Sequence, residues 1–112
     1  MASLLAGAWR AEAPALELSA CELSSILPLL AVSGAAPLAW WRVRGTPLAK
    51  LPEGQELYRA YLGQVAAGVV REHEILAALS ALREAGIEPL LAKGWAVARH
   101  YPEPGLRPSA DV

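Results

Sequence analysis

The chain has 112 residues, 54% of them hydrophobic and 19% charged, with a net charge of −1. That length is one domain or part of one, and the apolar fraction excludes a disordered chain. Ten scattered Lys and Arg exclude binding to nucleic acid through a general positive field, and a single cysteine excludes a disulfide framework or a multi-cysteine metal site.

In chain order, Leu4, Leu5, Ala8 and Trp9 recur at helical spacing before Pro14 and predict a short helix within residues 1–18. Ser19-Ala20-Cys21-Glu22 fits a capping box, in which a serine hydroxyl and a glutamate each reach a free backbone N–H. It predicts a helix from about Ala20 to Val32, bent near Pro28 and stopped at Gly34. Cys21 reads as a buried thiol in a cytoplasmic protein. Pro37 opens a further helix with Leu38, Trp40, Trp41 and Val43, closed by Gly45. Between Glu22 and Arg42 lie 19 uncharged residues, close to the length of a membrane span. Pro28, Gly34, Pro37 and three serines break that run, so short helices are expected there instead. The N-terminus does not read as a signal peptide, because Arg10 follows the first apolar residues instead of preceding them.

Thr46-Pro47 and Leu51-Pro52 are turn or helix-start signals. From Glu53, an apolar stripe of Leu57, Tyr58, Tyr61, Leu62, Val65 and Val69 continues through Ile75, Leu76, Leu79 and Leu82 to a C-cap at Gly86. This predicts one long helix or two, with Gly68 the weak point. Beyond Gly86 the helical period stops. Residues Ile87 to Ala92 read as a short buried strand with Pro89 at its start or edge, and Lys93-Gly94 as a turn. Trp95 to Tyr101 has helical spacing, Pro102-Glu103-Pro104-Gly105 is a loop, and Ala110-Asp111-Val112 begins a second strand. The chain thus divides into a helical region over residues 1–52, a long helix or helix pair over 53–86, and a mixed segment over 87–112.

The C-terminal block carries a resemblance. Leu90-Leu91, Lys93-Gly94, Tyr101-Pro102, Pro104-Gly105-Leu106-Arg107-Pro108 and Asp111-Val112 follow one another in an order that resembles a family of bacterial nucleotidyltransferases in the DNA polymerase β-like superfamily. The Trp40-Trp41 pair and the long helix ending at Gly86 are similar to the family's helical N-terminal part, so the likeness covers most of the chain. It implies an α+β fold, in which a mainly helical region precedes the first strand-turn-helix-strand of the catalytic core. It also implies Mg²⁺-dependent transfer of a nucleoside monophosphate from an NTP to an unknown acceptor, a small molecule or a protein; the scattered charges give no nucleic-acid-binding signature and the broken apolar run no membrane partner.

Mapped onto this sequence, the resemblance implies that Gly94 lets backbone approach phosphate and that Lys93 and Arg107 contact phosphate. Asp111 would be the first metal-binding and catalytic carboxylate. Two carboxylates two residues apart on a strand point the same way and together hold Mg²⁺. Two departures matter. The position after the glycine, where the superfamily often has serine, is Trp95, and the second carboxylate would fall after Val112. The 112 residues by themselves are therefore expected to be an incomplete, inactive fragment that self-associates through unpaired strand edges.

The remaining polar residues have plainer readings. His73 sits between Glu72 and Glu74 on a solvent-facing stretch, and His100 reads as a helix-end cation. Trp9, Trp40, Trp41 and Trp95 read as core anchors. The alternative to an enzyme is a non-catalytic helical interaction module that buries its apolar stripe on another protein.

Overall fold

The computed structural model of the protein describes residues 2–8, 10, 12, 14–91 and 94–106. Five helices follow in order among them: α1 (Ala2–Leu5), α2 (Ala20–Ser33), α3 (Ala36–Val43), α4 (Pro52–Glu84) and α5 (Gly94–Ala98). Short 3-10 turns span Pro47–Lys50 and Pro104–Leu106.

The helix ends follow local chemistry. Ser19 is extended at the start of α2, and its Oγ accepts from the Glu22 N–H at 3.2 Å. The Glu22 carboxylate accepts from the same hydroxyl at 3.1 Å, so the two side chains close on each other. Gly34 ends α2 in the left-handed conformation (φ 75°), and Ala35 N–H reaches back to the Leu30 carbonyl at 3.1 Å. Pro52 opens α4, where a missing N–H costs nothing. The 33 residues of α4 form one helix with no break at Gly68. It closes in a Schellman motif at Gly86 (φ 82°), with Ile87 N–H on the Leu82 carbonyl (2.9 Å) and Gly86 N–H on the Arg83 carbonyl (3.0 Å).

At about 1.5 Å per residue, α4 is about 50 Å long, close to the molecule's 55 Å longest dimension. The other elements gather along it. Leu4, Leu23, Leu30, Ala36, Ala39, Val43 and Leu57 form the buried cluster that joins α1, α2, α3 and the start of α4. Each of the larger ones contributes about 1.5–3 kcal/mol on leaving water. Leu23, Ile26, Leu27 and Leu30 form the inward stripe of α2. Cys21 lies off that stripe and is exposed, which corrects the expectation of a buried thiol. Arg42 ties the first residues to α3, donating from Nε to the Leu4 carbonyl (3.0 Å) and from a terminal nitrogen to the Pro14 carbonyl (2.6 Å). On α4 the apolar stripe is wider than its cover: Leu57 and Ile75 are buried, whereas Leu62, Val69 and Leu76 are exposed. Among the described residues no helix is long and apolar enough to cross a membrane.

The expected α+β class is overturned. The described residues form helices, turns and loops, with no strand and no sheet. Residues 87–91, read as most of a buried strand, are irregular, with Ile87 53% and Leu90 94% exposed. The physical reason is that a strand is completed by a partner, and no other described segment pairs with this one. The second expected strand, Ala110–Val112, lies outside the described residues. The helix expected over Trp95–Tyr101 is present but shorter, ending at Ala98.

Candidate functional site

The segment that follows α4 is built as a return along that helix. After the Gly86 stop, Arg83 and Glu88 pair at 3.6 Å, but both are well exposed, so the pair adds little stability. α5 begins at Gly94, and its last carbonyls are met by His100 N–H on Val97 (3.0 Å) and Tyr101 N–H on Ala98 (3.1 Å). Ala98 and Leu106 are buried at 6% and 2% exposure, so the segment is packed down from the end of α5 to the last turn, although it is exposed where it leaves α4.

Its anchor is the turn Pro104–Leu106, which packs on both α3 and α4. A side chain at Gly105 would place Cβ 2.5 Å from Val65 Cγ2 and 3.4 Å from Tyr61 Cε2. Only glycine lets the loop lie this close to α4. The Tyr61 hydroxyl donates to the Glu103 carboxylate, pinning the residue just before the turn. Tyr61 in turn stacks near Tyr58 (ring centroids 6.5 Å, planes 26° apart), and Tyr58 meets Trp40 of α3 at 4.7 Å. A row of aromatic rings therefore runs from α3 to the loop. Beside it Arg44 lies over the Trp41 ring at 3.5 Å, a cation–π contact that shields a half-buried indole.

The contact with Glu103 holds the Tyr61 hydroxyl above its ordinary value of 10.0. The Glu103 hydrogen bond is the main cause, because losing the proton would set two negative oxygens against each other; burial and the Glu103 charge act in the same direction. A raised folded value means that the contribution of this contact is complete below pH 10.0 and is lost as pH rises through the folded value. An alkaline titration followed by tyrosinate absorbance is expected to show one late component that disappears in Tyr61→Phe. A wild-type curve in which all tyrosines titrate at or below the ordinary value contradicts this.

The four residues assigned from sequence fall unevenly on this frame. Gly94 is the first residue of α5. Lys93, Arg107 and Asp111 lie outside the described residues. Tyr61 and Glu103 are the residues the sequence reading missed: Tyr61 passed as one more stripe position, and Glu103 as part of a loop; Gly105 stood in the Pro104–Pro108 block but without a packing role. Among the described residues no three His, Cys, Asp or Glu side chains come together as a metal site. His73 is exposed, in agreement with its solvent-facing reading, and His100 is exposed just after α5 ends.

A separate groove of about 730 Å³ lies between α2, the start of α3 and α4. Leu27, Pro28, Ala31 and Pro37 give it apolar walls, and Glu56 and Gln64 give it a polar side. Its size suits a small molecule, but its described lining comes from α2 to α4, away from the segment that carries the assigned residues.

Residues 19–112 match the model of a family described as an uncharacterised nucleotidyltransferase. The match begins at the N-cap of α2, so α2 to α5 and the C-terminal segment fall within it, and α1 precedes it. No curated protein and no solved structure matches the chain.

Proposed function

The chain belongs to the uncharacterised nucleotidyltransferase family, and on that premise we propose that it takes part in Mg²⁺-dependent transfer of a nucleoside monophosphate from an NTP to an acceptor. In that reaction an acceptor oxygen attacks the α-phosphorus, the bond to the β-phosphate oxygen breaks, and pyrophosphate leaves. The observation that carries the reading is the family match across residues 19–112, which takes in Lys93, Gly94, Arg107 and Asp111 in the order described above.

Each residue's role follows from its chemistry. Lys93 supplies a point charge to phosphate oxygens, and Arg107 a fork of donors. Gly94, with no side chain, admits phosphate to its backbone N–H. Asp111 offers the hard oxygen donor that Mg²⁺ prefers. Bound there, the metal would neutralise charge growing on the phosphate oxygens. As a donor type Asp111 fits the ion. The carboxylate closest to it in sequence among the described residues, Glu103, is already engaged by Tyr61.

The test is to incubate the full-length protein with each α-labelled NTP and Mg²⁺, then repeat with excess EDTA. Label is expected on an acceptor or on the protein itself, together with pyrophosphate, and EDTA is expected to abolish both. No transfer from any of the four NTPs, or transfer that persists in EDTA, removes the reading.

A further inference from the structure

We propose that the uncovered face of α4 is an interface with a second copy of this chain, the two α4 helices lying antiparallel. Leu57 and Ile75, both buried, stand 18 residues apart, which is five full turns, so they mark the covered line of the helix. Ala66 stands two and a half turns from each and therefore faces the opposite side. It belongs to a second stripe, Leu62, Ala66, Val69, His73, Leu76 and Ser80, in which steps of four and three residues alternate. All six are exposed, with Leu62 46%, Val69 65% and Leu76 52% open to solvent. The stripe is about 27 Å long, and one so apolar on the open side of a helix is suited to pack against another helix.

Two features select a second copy as the occupant. The spacing reads the same in both directions, so an antiparallel copy meets the stripe in step with it. The ends carry opposite charges on the same flank: Arg59 stands three residues before Leu62 and Glu84 four residues after Ser80, both exposed. Antiparallel pairing sets Arg59 of each copy beside Glu84 of the other, whereas parallel pairing sets like charges together. That register, centred between residues 71 and 72, also brings Leu62 level with Ser80 of the other copy and Leu76 level with its Ala66, to within one residue, so large side chains meet small ones. One helix face is smaller than a standard interface of about 800 Å² per partner, so the dimer is expected to be reversible, with a dissociation constant on the order of micromolar.

The experiment is sedimentation equilibrium of the full-length protein and its variants across the micromolar range. Wild type is expected to dimerise. Val69→Glu, in the middle of the stripe, is expected to leave a monomer with unchanged far-ultraviolet circular dichroism, since position 69 is 65% exposed and takes no part in the buried cluster. Arg59→Glu and Glu84→Arg are each expected to weaken the dimer about tenfold, because two-fold symmetry turns two attractions into two repulsions. An equimolar mixture of these two variants is expected to pair at near wild-type strength, each supplying the charge that the other lacks, and the double variant is expected to recover likewise. A wild-type protein that stays monomeric throughout overturns the proposal; that is the result if a different protein or a further segment of the same chain covers the stripe. A dimer that survives Val69→Glu overturns it as well, and so do single charge variants that fail to recover on mixing.

Discussion

Asp111→Ala is expected to lower metal-dependent transfer by about a thousandfold or more in the full-length protein. A metal that neutralises the developing charge of phosphoryl transfer contributes several kcal/mol to the transition state, and about 4 kcal/mol corresponds to a factor of about a thousand. Removing a carboxylate that holds it removes most of that term. The loss should appear in kcat as well as in the Mg²⁺ requirement, because charge grows after the substrate is bound. The urea midpoint should be unchanged. Lys93→Ala serves as a comparison: with the proposed role in phosphate binding, it is expected to weaken retention of NTP and leave the Mg²⁺ requirement unchanged. Transfer by Asp111→Ala within tenfold of wild type would remove Asp111 from the metal site.

What the sequence disclosed about this fold is almost entirely local. Ser19, Gly34, Pro52 and Gly86 announce helix ends through chemistry completed within a turn, and each stands where it was expected. Gly68 did not break α4, because one glycine costs a helix only about 1 kcal/mol, and packing elsewhere along the helix exceeds that. The failure came where the outcome depends on a partner. Residues 87–91 have the composition of a strand, yet a strand needs a second segment at hydrogen-bonding distance, and no five-residue pattern can specify one. The Tyr61–Glu103 contact was invisible for a related reason. It joins residues 42 positions apart, and nothing in either neighbourhood marks them as a pair. Cys21 shows the same limit on a smaller scale. Residue type alone pointed inward, but its position off the Leu23–Leu30 stripe of α2 points it out.

Gly54→Ala is expected to destabilise the protein by about 2–3 kcal/mol, although alanine is the better helix former. In an open helix the exchange would gain about 1 kcal/mol. Here the new Cβ would lie 2.1 Å from the Leu48 carbonyl oxygen, and 2.8 and 2.9 Å from the backbone of Ala49. Favourable non-bonded carbon contacts begin near about 3.5 Å, so backbone must move by more than an ångström. The turn Pro47–Lys50 is poorly placed to yield. Ala49 N–H bonds the Thr46 carbonyl (3.1 Å), Leu51 N–H bonds Leu48 (3.2 Å), and the Gln55 side chain holds the Ala49 carbonyl (2.7 Å). Overpacking of this kind costs about 1–3 kcal/mol and more when the obstacle is backbone, so the clash outweighs the propensity gain. Gly68→Ala is the matched control: a Cβ there meets nothing within 4 Å, and the exchange should stabilise by up to about 1 kcal/mol. Urea midpoints moving in opposite directions for the two variants would establish that space, not helix propensity, selects glycine at position 54. Equal midpoints would remove the close approach of the turn to α4. The consequence reaches the candidate site, because this turn sets how α3 meets α4 and hence the Trp40–Tyr58 contact that backs Tyr61.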